Sequence, residues 1–138
     1  MLLEKKNIIV VGGTSGIGKS AVKAFMNEGA FLTVVGRNSK KLSDAKALFG
    51  DNGITIEGDA SNPETINIAI KQAVEKFGYV HGLYHVAGGS GRNKGDGPVH
   101  EVTDEAWDYT ISINLDSIFY SNRAVITQFI NQGQGGTI

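Results

Sequence analysis

The chain has 138 residues, with 13 Lys and Arg against 14 Asp and Glu for a formal net charge of -1, 19 glycines, two prolines and no cysteine. That charge leaves no basic footprint for nucleic acid or an anionic membrane surface, and the missing cysteine excludes disulfides and thiolate chemistry. The length suits one domain, residues 1–138, and no stretch approaches the roughly 20 apolar residues of a membrane helix.

The start, "MLLEKKN", passes from two leucines into charge without the apolar stretch of a signal peptide, so a soluble, cytoplasmic protein is expected. "NIIVVGG", from Asn7, has the Ile/Val-rich, glycine-closed pattern of a strand buried on both faces of a parallel sheet. Ile17, Ala21, Ala24 and Phe25 then recur at helical spacing, and Gly29 stands where a helix ends. "AFLTVVG" predicts a second strand, and Leu42, Ala45, Leu48 and Phe49 one face of a helix entered through Ser39. "ITIEGD" predicts a third strand, shorter and more polar, as suits a sheet edge. Pro63 opens a helix carrying Ile66, Ile70, Ala73, Val74 and Phe77 and stopped by Gly78, and "GLYHVAGG" predicts a fourth strand. After a polar loop from Ser90 to Pro98, Thr103 caps a long helix with Asp104 and Glu105 in its first turn. It runs through Trp107, Ile111, Leu115, Ile118, Val125 and Phe129 to about Gln132, and the closing "GGTI" reads as the approach to a fifth strand. Strands alternating with helices call for right-handed parallel crossovers, hence an α/β, Rossmann-like doubly wound parallel sheet of about four strands.

The loop "GGTSGIG", Gly12 to Gly18, joins the first strand to the first helix. Glycines there let the backbone turn and approach a ligand, while free amides at the helix start point at an anion such as a dinucleotide pyrophosphate. Gly12, Gly16 and Gly18 have the spacing G-x-x-x-G-x-G, which also serves plain packing; the strand before it and the amphipathic helix after it favour the nucleotide reading.

With this loop the sequence resembles the short-chain dehydrogenases/reductases. Further motifs carry the resemblance across the chain: "GRN" (Gly36 to Asn38), "GDAS" (Gly58 to Ser61), "HVAG" (His85 to Gly88) in place of Asn-Asn-Ala-Gly, and "GDGPVHEVTDEAWDYTISINL" (Gly95 to Leu115). The resemblance implies a dinucleotide site formed by Gly12, Thr14, Ser15, Gly16, Ile17, Gly18, Arg37, Asn38, Asp59, Ala60, Ala87, Gly88 and Gly89, with Asn114 at the active-site asparagine. Where an acidic residue would bond an unphosphorylated ribose stands Gly36, followed by Arg37, a planar cation able to pair with a 2'-phosphate, so NADP(H) is favoured over NAD(H). Arg37 could equally be a solvated loop charge, and Asp59 could cap the following turn rather than contact adenine. Val11 in place of the usual Thr, and His85-Val86 in place of two asparagines, remove side chains that would bond neighbouring loops and strands.

The family's chemistry depends on a Ser and on a Tyr followed four residues later by Lys. Here Tyr79 is followed at that spacing by Leu83, Tyr84 by Gly88, Tyr109 by Ile113 and Tyr120 by Ala124. His81, His85 and His100 are scattered, without ligand spacing, and no metal site is expected; Asp104, Glu105 and Asp108 crowd a helix start, and Lys94 lies in the loop without a burial cue. The expectation is therefore a truncated, cofactor-binding part of an oxidoreductase, inactive in hydride transfer alone, with Asn114 a remnant or a structural group. The alternatives are an active NAD(P)-dependent carbonyl/alcohol oxidoreductase once completed by further residues, and a non-catalytic scaffold or interaction module. With later elements missing, the long helix 104–132 or a bare sheet edge is expected to make a homo-oligomer.

Overall fold

The computed structural model of the chain describes residues 1–138. Asn7–Val11 (β1), Phe31–Gly36 (β2), Gly53–Glu57 (β3) and Gly82–His85 (β4) form one parallel sheet in the order β3-β2-β1-β4. Its helices are Gly16–Asn27 (α1), Ser39–Phe49 (α2), Pro63–Phe77 (α3), Asp104–Ile111 (α4) and Ser117–Asn131 (α5), the last two joined by a π-helical stretch, Ser112–Asp116.

The central strand β1 and its neighbour β2 are largely apolar because both of their faces are covered. Along β1 successive side chains alternate: Ile9 and Val11 face a core shared with Val35, Leu83, Ile66 and Val125, under α3 and α5. Ile8 and Val10 face the opposite core, with Leu32, Val34, Val22 and Leu42, under α1 and α2. Each fully buried side chain of this kind contributes about 1.5–3 kcal/mol. The more polar β3 is an edge strand, as its composition suggested.

Several elements differ from the sequence reading, each for a local reason. The fourth strand stops at His85, because the amides of Val86 and Ala87 both donate to the carbonyl of Val11 and swing the chain out of the sheet. In α1 the buried residues are Gly18 and Val22, while Ala24 is exposed and Ile17 is exposed at the helix's open end. In α2 Leu48 is exposed, and Leu42, Ala45 and Phe49 form the buried face. The long helix is not one regular α-helix: the π turn moves the inward face, so Ser117, Ser121 and Val125 are buried while Trp107, Leu115 and Phe119 are 62%, 60% and 54% exposed.

The outer edge of β4 is partly covered. Gln132 pairs its side-chain amide with the backbone of Val80, donating to its carbonyl and accepting from its N–H. Thr137 bridges Gly82 in the parallel sense, its amide donating to His81 and its carbonyl accepting from Leu83. No helix is long and apolar enough to cross a membrane.

Candidate functional site

The chain leaves β1 toward β2 on one side, and β4 joins on the other, so the loops after β1 and β4 part where the winding reverses. Such a point is where open α/β sheets bind ligands. A cleft of about 430 Å³ opens there, and Gly12, Thr14 to Gly18, Arg37, Asp59, Ala60, Ala87 and Gly88 line it. Of the residues singled out from the sequence, Asn38 and Gly89 lie outside it. Asn38 caps α2, accepting from the amide of Lys41, and Gly89 is held by Asn114.

The first loop is built around two demands on glycine. Gly12 has a φ of 88°, and a Cβ there would lie 2.7 Å from the backbone nitrogen of Ala87. A Cβ on Gly18 would overlap the carbonyl oxygen of Gly12, so α1 lies directly on the turn. Asn62 and Thr103 cap the first turns of α3 and α4 with their side chains, as Asn38 does for α2, but Ser15 makes no such bond at α1. None of the amides from Gly13 to Gly18 donates to a protein acceptor. This helix end carries the positive pole of its dipole and six free donors, five of them on residues that line the cleft, Thr14 to Gly18, which is the arrangement that holds an anion.

At the far end of the cleft Arg37 and Asp59 are the only ionisable lining residues. Their charges are 3.9 Å apart on half-exposed side chains, an ion pair that contributes little. Partial burial pushes the Asp59 carboxyl up, but the hydroxyl and amide of Ser61 and the nearby Arg37 outweigh it, and the net shift is downward. Asp59 thus closes a turn onto Ser61 and also walls the cleft.

Asn114 sits in the π-helical stretch. Its side-chain nitrogen donates to the carbonyls of Gly89 and Thr110 (2.8 and 2.9 Å), and its oxygen accepts from the amide of Gly89 (3.2 Å). This clasp ties the β4 exit loop to the helix, a structural duty for the predicted active-site residue. His81 is structural too: its Nδ1 accepts from the amide of Asn7 (3.1 Å), and burial, with Lys6 nearby, lowers its pKa. Lys94 pairs with Glu105 at 3.0 Å, which raises its pKa and makes it no base. No three His, Asp or Glu side chains gather as a metal site.

Four lining residues with a discernible part stand outside the set expected at the cofactor site, although Gly36, Ser61 and Val86 fall within the motifs quoted for the family resemblance. Gly36 leaves room for the Thr14 side chain, and Ser61 holds Asp59. Val86 covers Gly18, and Ile113 enters from the π stretch, a position no helical periodicity marks.

Comparison with known proteins agrees with this geometry. Residues 6–138 match the family described as short chain dehydrogenase. A 3beta-hydroxysteroid dehydrogenase 2 of Eggerthella lenta is 30% identical over 99% of this chain and 53% of its own length. A probable galactose dehydrogenase of Rhizobium meliloti is 32% identical over the same shares of the two chains. The crystal structure of a short chain dehydrogenase from Bacillus anthracis superimposes with a TM-score of 0.88 at 32% identity, covering 96% of this chain and 53% of that one. The chain spans about half the length of the curated relatives it matches.

Proposed function

The chain belongs to the short-chain dehydrogenase family, and on that premise we propose that its cleft binds the adenosine diphosphate part of a nicotinamide dinucleotide, NADP(H) in preference to NAD(H). The observation that carries this reading is the uncapped start of α1, where the amides of Gly13 to Gly18 have no acceptor of their own. A diphosphate supplies those acceptors. Ala60 and Asp59 wall the adenine end, Arg37 meets a 2'-phosphate, and Ala87 and Gly88 border the far side. When bound, the nicotinamide supplies or accepts a hydride.

The residues of this chain bind and orient that cofactor but move no proton at it, because no tyrosine, lysine or histidine lines the cleft. We therefore read the chain as the cofactor-binding part of an NADP(H)-dependent carbonyl/alcohol oxidoreductase, without turnover by itself. The relatives' names span a steroid and a sugar, so the substrate class stays with each of them. Isothermal titration at low salt tests the reading: NADPH is expected to bind, NADH at least tenfold more weakly, and neither to reduce a ketone. Equal affinities would remove the role of Arg37, and no heat with either would remove the site.

The exposed Trp107, Leu115, Phe119 and Ile130 line one long helix, and we read this face as the seat of a homo-oligomer, the unpaired remainder of the β4 edge being the other candidate. Sedimentation should show a dimer in the micromolar range; a monomer at every concentration would contradict it.

A further inference from the structure

His85, one of the departures from the family pattern, is built into a buried polar cluster the site chemistry does not use. It ends β4, beside Val11, and both ring nitrogens are engaged by serines of α5 that are 0% and 1% exposed. Ser121 Oγ lies 2.9 Å from Nδ1 and Ser117 Oγ 3.3 Å from Nε2. The hydroxyl of Ser117 already donates to the carbonyl of Ile113 at 2.8 Å. It therefore accepts from Nε2–H, which leaves Nδ1 as the bare acceptor for the hydroxyl of Ser121. That tautomer is satisfied at both ends only while the ring is neutral.

This cluster and the Asn114 clasp hold the same piece of chain to the same helix. Asn114 takes Gly89, His85 takes Ser117 and Ser121, and between them Ala87 and Gly88 border the cleft. We propose that His85 is a positioning residue that makes the cofactor cleft proton-sensitive: neutral, it fixes the Ala87–Gly88 wall against α5, and protonated, it reverses its bond with Ser121 and loosens that wall. The proposal rests on the dinucleotide reading of the cleft.

The chemistry of protonation follows from the donors. A second N–H at Nδ1 meets the Ser121 hydroxyl, which must turn over to accept, and the half-buried ring gains a charge. The groups facing the ring are the two serine hydroxyls from α5, the backbone of Ala87 from its own loop and the Val11 side of β1. No charged side chain offsets that charge. Burial accordingly lowers the pKa of His85, with the Ala87 backbone opposing. A histidine depressed in the folded state is protonated first in the unfolded chain, so its contribution to stability is complete above about pH 6.5 and is lost as pH falls toward the folded value. His81 acts with the same sign, so bulk acid unfolding does not separate the two.

The test is residue-specific. Histidine ring and backbone amide resonances of the 138-residue chain, followed from pH 8 to 5 without ligand, should show His85 titrating below the ordinary histidine range, with the amides of Ala87 and Gly88 moving at the same midpoint. Ser121→Ala should raise that midpoint by removing the hydroxyl Nδ1 accepts. NADPH affinity should fall further between pH 7.5 and 5.5 in the wild type than in His85→Gln, by less than about tenfold, because the ring titrates below the ordinary histidine value near 6.5. Taking the difference cancels the cofactor's own 2'-phosphate, which titrates near pH 6. Amides that ignore the His85 titration, an unmoved midpoint in Ser121→Ala, or identical pH profiles for wild type and His85→Gln would each overturn the proposal. If the amides follow His85 while NADPH binds at no pH, the clamp stands and the dinucleotide reading falls.

Discussion

Gly12→Ala is expected to lower the unfolding free energy by about 3 kcal/mol and to abolish NADPH binding, the first read from urea denaturation and the second from calorimetry. Two effects add. Alanine resists a φ of 88°, and its methyl would lie 2.7 and 2.9 Å from the backbone nitrogen and Cα of Ala87. Neither side can retreat cheaply: the amides of Val86 and Ala87 are bonded to Val11, and α1 rests on the Gly12 carbonyl. Relief means moving the two loops that form the cleft. Gly16 provides the control, because at a φ of 49° a Cβ there meets nothing within 4 Å. Gly16→Ala should therefore cost only about 1 kcal/mol of stability. Equal losses from the two substitutions would show that the contact between the loops carries no energy.

Arg37→Glu is expected to reverse the cofactor preference with the fold intact. A charge-assisted hydrogen bond to a phosphate contributes about 1.5–3 kcal/mol, which is roughly tenfold to a hundredfold in affinity. Replacing the cation by a carboxylate removes that and adds repulsion, with Asp59 already beside it at 3.9 Å from the guanidinium. NADPH affinity should fall by about a hundredfold, while NADH gains a carboxylate able to accept from its ribose hydroxyls. Thermal unfolding should move little, since the present ion pair is between exposed groups. An unchanged NADPH-to-NADH ratio would assign Arg37 to the solvent. A large loss of stability would instead make it a structural residue.

What the sequence discloses and what it hides divide along physical lines. Strand and helix types were legible because burial on two faces writes continuous Ile/Val runs such as "NIIVV", and amphipathic burial writes spaced ones such as Leu42, Ala45 and Phe49. The cleft followed from the family resemblance and the glycine spacing, and eleven of the thirteen residues expected at a cofactor site line it, Asn38 and Gly89 being the exceptions. The π turn was not legible. One extra residue in a helical run leaves no compositional mark, and it is anchored by Asn114 and Ser117 through partners 25 and 32 residues away. For the same reason no periodicity marks Ser117 and Ser121 as interior residues, although both are buried against His85. Exposure of Trp107 and Leu115 follows from the altered helical register.

The account depends most on the free amides at the start of α1, and backbone amide resonances during an NADPH titration observe them directly. Saturable shifts concentrated on Gly13 to Gly18, with smaller ones at Arg37, Asp59 and Gly88, are the expected result. Shifts that leave Gly13 to Gly18 unmoved, or no saturable change up to millimolar NADPH, would contradict it.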